Sequence, residues 1–312
     1  MPHAPHPHLL AAGPQWRPGF PCAVAVGNFD GVHRGHARIV ETLRDTGRRL
    51  ALPTAAFTFD PHPARILRPA SAPPALTTPE RRAELLMALG VDAVLLWPID
   101  PGTLALEAEA FYGDVLRGAL GAAAIVEGPD FRFGAGRRGD MALLRRLAAA
   151  DGAEVVEVGS VTTGGEPVSS SRIRALVAAG DVAGAADVLT APYRIEGVVV
   201  HGQARGRTLG FPTANLAGIT TLVPGAGVYA GRARIDGGAS LPAAIHVGAP
   251  VSFGATEPTV EVHLIGYSGD CYGRGLDVDF LTRLRDTRRF ASLDDLKAQL
   301  ASDVASAAAL GA

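Results

Sequence analysis

Two histidines three residues apart, His33 and His36, lie inside GNFDGVHRGH at residues 27–36, between the apolar run CAVAV and an amphipathic helix pattern. Imidazoles at i and i+3 fall on one face of a first helical turn, where both can donate to a single anionic group. The glycines at 27, 31 and 35 permit close backbone approach. A helix N-terminus adds free N–H groups and a positive dipole end, about 0.3–1 kcal/mol toward an anion. By spacing alone the pair fits phosphate ligands, half of a zinc site or unrelated surface residues. No further Cys/His cluster lies nearby, and a loop that follows a strand of an open α/β sheet is where ligands bind, so phosphate is favoured.

Three other stretches carry candidate chemistry. HGQARGRTLGFPTANL, residues 201–216, has Gly202, Gly206 and Gly210 interleaved with Arg205 and Arg207. Such a loop can wrap a phosphate through backbone N–H groups, but it lacks the G-K-[ST] end of a P-loop, and a surface hairpin fits as well. TVEVHLIG alternates strictly, with Val260, Val262 and Leu264 on one face and Glu261 and His263 on the other, either a solvent-facing pair or a base on a strand. FDPHP at 59–63 reads as a turn, and FRFGAGRRGD at 131–140 as a basic loop before a helix.

The elements that must position these residues follow from hydrophobic period. Between residues 22 and 158, short apolar runs such as CAVAVG, ALPTAAFTF and AAAIVEG alternate with helical stretches, several stopping at Gly90, Gly121 or Gly152. Continuous apolar strands alternating with helices predict a doubly wound parallel sheet covered on both faces. Residues 168–189 read as two short helices broken at Gly180-Asp181. Closely spaced strands follow, from YRIEGVVV to LDVDFLTRL, predicting an antiparallel sheet or small barrel closed by an amphipathic helix that Ser292 caps. The boundary falls near residues 186–193, and residues 1–19, with HAPHPH, read as a disordered tail.

Composition bounds the rest. A 312-residue chain that is 47% hydrophobic supports two packed domains. A net charge of −2 gives no global field for nucleic acid, so anions must be held by local clusters. Cys22 and Cys271 make no disulfide framework, which suits a reducing cytoplasm, and there is no secretory leader or run of 18 apolar residues to suggest a membrane.

GNFDGVHRGH resembles the G-x-F-D-x-x-H-x-G-H signature of the nucleotidylyltransferases, and VSSSRIR at 168–174 resembles their I-S-S-T-x-x-R, with Val168 for Ile and Ser171 for Thr. FTFDPHP at 57–63 and GPDFRFGAGRRGD at 128–140 are similar to segments of the prokaryotic FAD synthetases, and GFPTAN to the P-T-A-N motif of riboflavin kinases. DCYGRGLDVDFLTRLRDTRRF looks like the closing segment of the same kinases. Over roughly residues 20–308 the chain thus resembles the bifunctional riboflavin kinase/FMN adenylyltransferase family.

That resemblance implies a nucleotidylyltransferase domain over residues 20–188 and a kinase barrel over 189–312, acting on ATP, riboflavin and FMN with Mg²⁺ in the cytoplasm, without nucleic acid or membrane partners. His33, His36 and Arg174 would stabilise charge on the triphosphate, with Gly27, Phe29, Asp30, Gly31, Gly35, Ser169, Ser170 and Ser171 around it. Asp60, His62, Asp130, Phe131 and Phe133 would line the flavin and adenine pockets. In the second domain, Gly202, Arg205, Gly206, Arg207, Gly210, Pro212, Thr213 and Asn215 would hold ATP, Thr213 and Asn215 also holding Mg²⁺. Glu261 would be the general base, and Arg285 and Arg288 flavin neighbours. The chain departs from the family at HVGAPVSFG, residues 246–254, where N-I-G-x-x-P-T-F is usual, and at Gln203, where an acidic residue is common. A chain with adenylyltransferase activity alone, or a flavin- or nucleotide-binding protein without turnover, are the alternatives.

Overall fold

A computed structural model describes residues 8–12, 19–202, 206, 209–248 and 258–311. By its internal contacts the chain divides into two compact units, residues 1–73 with 78–169, and residues 74–77 with 170–312.

The first unit is built on six strands: β1 (His8–Ala12), β2 (Cys22–Val26), β3 (Thr54–Asp60), β4 (Ala93–Pro98), β5 (Ala122–Glu127) and β6 (Glu154–Glu157). Their order is β1-β4-β3-β2-β5-β6, all parallel except β1. Both faces are covered, as the continuous apolar runs require. Cys22, Val24 and Val26 enter a core with Phe57, Trp97 and Phe111 on one side, while Ala23 and Ala25 meet Phe29, Leu43 and Leu86 on the other. The helices that matter for the site are α1 (Arg34–Leu50), α2 (Pro63–Leu67), α3 (Pro79–Ala88) and α4 (Met141–Asp151). Gly90, Gly121 and Gly152 adopt φ of 92°, 63° and 77°, the left-handed stops their positions predicted.

One expectation needs correction. His8–Ala12, expected in a disordered tail, form β1 on the open edge of β4. The apolar HLLAA has a reason to be there, since it pairs with β4's unused backbone groups and Leu10 packs against the core.

The second unit is a closed antiparallel barrel. After a two-residue hairpin in the first unit, β7 (Thr162–Thr163) with β8 (Glu166–Pro167), come α5 (Ser170–Ala179) and α6 (Val182–Val188). The barrel strands are β9 (Tyr193–Val200), β10 (Ala214–Ala217), β11 (Gly227–Ile235), β12 (Leu241–Gly248), β13 (Thr259–Leu264) and β14 (Gly275–Arg285), in the order β10-β13-β12-β11-β14-β9. Asp181 caps α6 by accepting from Gly184 N–H at 2.8 Å, so Gly180-Asp181 breaks the helices as its sequence indicated. A long helix, α7 (Leu293–Gly311), packs on β11 and β12, and Ser292 Oγ accepts from Asp295 N–H at 3.1 Å at its start. Arg285, at the end of β14, fixes this helix through a two-oxygen pair with buried Asp303, at 2.7–3.1 Å. Within the barrel, Arg194 forks onto Asp279 at 2.7 and 3.0 Å, both groups buried. Removing one partner of such a pair strands a buried charge.

Candidate functional site

In the first unit, β2 delivers the chain into a turn at 27–32 and α1 leaves it. Phe29, Gly31 and Val32 all adopt positive φ, 47°, 85° and 41°. For a β-branched valine this is a costly conformation, of the kind that persists where surrounding contacts impose it. Phe29 is buried, and its carbonyl accepts from Val32 N–H at 3.0 Å. At the strand end, Val26 N–H donates to Oε1 of Glu127 at 2.5 Å, and burial drives that carboxyl well above its usual range. A buried acid, its charged form disfavoured by burial, thus pins the last strand residue before the turn.

His33 is the N-cap of α1 and His36 its third residue. His33 Nδ1 accepts from His36 N–H at 3.2 Å, and His36 Nδ1 accepts from His33 N–H at 3.3 Å. The rings stack with centroids 3.5 Å apart, and Phe29 meets His36 edge-on at 5.1 Å. This is a capping box made of two histidines, where Ser/Thr and Glu are usual. Its consequence is a defined tautomer: both Nδ1 atoms are acceptors, so each neutral ring carries its proton on Nε2 as a donor. Burial pushes His33 down to about 4, and burial together with the charges of His33 and Arg82 holds His36 well below the usual histidine range.

A pH dependence follows. With the folded pKa of His33 below the unfolded value, the unfolded chain takes up a proton between pH 6.5 and about 4 that the folded chain refuses. Stability is therefore full above pH 6.5 and falls as pH drops, by about 3 kcal/mol at pH 4 from this group. His33→Asn keeps a capping oxygen and removes the titration. Its thermal-unfolding midpoint is expected to decline less between pH 6.5 and 4 than that of the wild type, and identical acid limbs would contradict the assignment.

The turn is braced from behind by residues the sequence reading did not single out. Arg82 of α3, 5% exposed, donates from Nη1 to Thr58 Oγ1 at 2.9 Å and to Phe59 O at 3.2 Å. Thr58 in turn donates to Asn28 O at 3.1 Å. The signal was present in TPERRAELL, where Arg82 takes a place on the same stripe as Ala83 and Leu86. Glu127, ending the apolar run AAAIV, was likewise visible as an acid in a buried position.

The expected flavin-side residues are distributed differently. Asp60 ends β3, and His62 caps α2 by accepting from Ala64 N–H at 3.1 Å. Phe133 is a core residue, packed with Phe111 and stacked on half-buried Phe131 at 5.5 Å, while Asp130 is exposed on the turn before them. The loop between is closed by paired bonds linking Phe133 and Gly139, at 2.9 and 3.1 Å.

The serine motif straddles the division of the chain, Ser169 ending the first unit and Ser170, Ser171 and Arg174 opening the second. Arg174 Nε donates to Pro74 O at 2.7 Å, within the second unit.

On the barrel, β10 and β13 bring the remaining candidates together. Asn215 lies opposite Glu261 in the ladder, and Thr213 Oγ1 donates to Glu261 Oε2 at 3.3 Å. The Asn215 amide lies against Gly202, where a Cβ would force that side chain to shift. Leu209 and Phe211 N–H both donate to Gly206 O, at 3.1 and 2.9 Å, drawing that loop toward Thr213. Gly210 turns at φ 87°, and Pro212 O meets His263 Nδ1 at 2.7 Å. On the other side Glu261 faces His246 of β12, whose pKa is lowered by burial and by Arg285 despite the opposing Glu261 charge. Arg205, Arg207, Gln203 and residues 249–257 of the departing loop lie outside the described residues.

Arg285 is paired with buried Asp303, and Arg288, which is exposed, donates to Gln299 Oε1 at 2.5 Å, lies over Phe290 at 5.0 Å and lines a cavity of about 470 Å³ with Phe290, Asp295 and Gln299. No helix among the described residues is long and apolar enough to cross a membrane.

Comparison with known proteins matches each unit to a family. The model of the FAD synthetase family matches residues 19–172 and that of the riboflavin kinase family residues 189–310. Among relatives, the bifunctional riboflavin kinase/FMN adenylyltransferase of Escherichia coli K12 is 38% identical over 296 residues, 95% of this chain and 93% of that protein. Proteins of the same name from Pseudomonas fluorescens and Bacillus subtilis are 39% and 32% identical, over 93% and 96% of this chain and 93% and 95% of theirs. A solved Streptococcus pneumoniae structure, described as a macrolide-efflux protein, superposes with a TM-score of 0.81 at 32% identity, covering 94% of each chain.

Proposed function

The chain belongs to the bifunctional riboflavin kinase/FMN adenylyltransferase family, and from that premise we propose how its own residues carry the two reactions. It is an enzyme of FAD biosynthesis that proceeds through FMN. The observation that carries the two-site reading is that the histidine pair and the Thr213–Asn215–Glu261 group belong to different compact units. In this reading residues 20–188 are the adenylyltransferase and 189–312 the kinase, both acting in the cytoplasm.

In the kinase, the ribityl 5′-hydroxyl of riboflavin attacks the γ-phosphorus of ATP, its proton passes to Glu261, and ADP leaves. Thr213 and Asn215 fit Mg²⁺: they offer a hydroxyl and an amide oxygen beside a carboxylate, the hard donor set that cation takes, with glycine at 202 leaving the amide room. Bound there, Mg²⁺ would neutralise phosphate charge. Pro212 and Gly210 shape the turn that presents Thr213. Arg288, exposed in the cavity beside α7 and bonded to the neutral Gln299, is the better placed of the two arginines for flavin, because Arg285 is paired with the buried carboxylate of Asp303.

In the adenylyltransferase, a phosphate oxygen of FMN attacks the α-phosphorus of a second ATP and pyrophosphate leaves, with no covalent protein intermediate. His33 and His36 would donate from Nε2 to the oxygens where charge builds. By the resemblance of VSSSRIR to the family's second signature, Arg174 and the serines at 169–171 would bind the triphosphate. Gly27, Gly31 and Gly35 allow the phosphates close to the turn that Phe29 anchors, with Asp30 beside it. Asp60, His62, Asp130 and Phe131 would border the flavin, Phe133 acting by supporting Phe131.

Purified protein given ATP, Mg²⁺ and either riboflavin or FMN, with products resolved chromatographically, is expected to yield FMN then FAD from the first and FAD from the second. Chelation with EDTA is expected to abolish both and added Mg²⁺ to restore them. FAD from FMN without FMN from riboflavin would remove the kinase assignment, and binding without pyrophosphate release would remove the adenylyltransferase.

A further inference from the structure

The guanidinium of Arg82 lies behind the turn that carries the two histidines, on a helix whose other buried residues are Ala83, Leu86 and Arg81, the last paired with Glu84. A leucine there would pack without the desolvation that burying a charge incurs, so stability alone is a weak reason for an arginine. Its contacts give a better one. Nη1 donates to both Thr58 Oγ1 and Phe59 O, and Thr58 passes the contact to Asn28 O, inside GNFD. Nε is buried with no acceptor among the described residues, so the side chain is placed for its charge and its Nη1 bonds and not for saturation of its donors.

The same group connects two motif segments electrostatically. Asp30 on the turn and Asp60 at the end of β3 face it, with Glu80 on its own helix, and its charge is felt at His36. His36 is faced in addition by His33.

We propose that Arg82 is a positioning residue for adenylyl transfer: through Thr58 it fixes the Asn28 carbonyl, and with it the turn that presents His33 and His36. Its charge adds to the burial and the His33 charge that already disfavour protonation of His36. Protonated His36 would carry a hydrogen on Nδ1 and no longer accept from His33 N–H, opening the mutual cap. The inference rests on the assignment of adenylyl transfer to the histidine site.

Three variants of the full-length enzyme separate its parts, each assayed for FAD formation from FMN and ATP across pH, with thermal unfolding alongside. Thr58→Val cuts the relay and spares the charge, so kcat is expected to fall about tenfold with the acid limb of kcat/KM unmoved. Arg82→Gln removes the charge as well, so kcat is expected to fall about 10²-fold and the acid limb to move to higher pH. Arg82→Lys keeps the charge without the fork onto two acceptors, so kcat falls and the limb stays in place. KM values are expected to change much less than kcat. If Arg82→Gln fails to fold, Thr58→Val and Arg82→Lys still decide. All kcat values within twofold of wild type, or a lowered melting temperature with wild-type kcat and pH profile, would overturn the proposal and leave Arg82 a packing residue. His36→Ala, run in parallel, separates the two failures: if it too retains activity, the site assignment itself is wrong.

Discussion

Replacing His36 with alanine is expected to cut FAD formation from FMN about 10²–10³-fold while FMN formation from riboflavin continues at the wild-type rate. The loss is the usual one for a single donor aimed at charge that develops in the transition state, about 2.7–4 kcal/mol. Here the substitution removes more than a donor, because His36 Nδ1 also caps His33 N–H and its ring stacks on that of His33. Each histidine therefore holds the other, and their effects cannot be independent. His33→Ala should lose a comparable factor, and the double variant should fall well short of the product of the two. Multiplicative losses would mean that the rings act separately and that the mutual cap is incidental. Equal loss of both activities from His36→Ala would contradict the division of labour between the two sites.

The histidine pair shows what could and could not be read from residue order. Spacing placed two imidazoles in the first turn of a helix after a strand, and that is where they are. It could not show that each is the other's cap, because capping boxes are read from Ser, Thr, Asp or Asn followed by Glu or Gln. The backing of the turn was hidden for a different reason. Arg82, Thr58 and Glu127 meet residues 23–101 positions away in sequence, and no local period encodes such contacts. What the local pattern did carry was an anomaly, a charge on a stripe with Ala83 and Leu86 and an acid at the end of AAAIV, and both proved to be buried beside the turn before the histidines.

Regular elements were legible wherever burial imposes a period. Strands covered on both faces are continuously apolar, as in CAVAV, and β13 alternates buried Val260, Val262 and Leu264 with half-buried Glu261 and His263. The edge strand β1 was not legible, because five residues among prolines give too short a pattern to distinguish from a tail, and its pairing depends on the vacant side of β4. Order around the barrel was equally out of reach: β10 sits between β9 and β13, and only the fold puts Asn215 opposite Glu261.

That pairing leads to the second large effect. Glu261→Gln is expected to lower FMN formation from riboflavin about 10²–10⁴-fold, the range for loss of a positioned general base, and to leave FAD formation from supplied FMN unchanged. Glutamine keeps the size of the side chain and an oxygen that can still accept from Thr213 Oγ1, so the fold of β10 against β13 should persist, and what disappears is the ability to take a proton. One competing base stands within the same ladder. His246 lies opposite Glu261, and burial with the nearby Arg285 charge lowers its pKa, so it is neutral at pH 7 and chemically able to accept a proton. The two are separable, because His246→Asn restores the residue usual in the family at that position and should keep FMN formation near the wild-type rate if Glu261 is the base. A Glu261→Gln enzyme that phosphorylates riboflavin normally, beside a His246→Asn enzyme that does not, would transfer the role to His246 and make the departure at residue 246 the feature that defines this kinase.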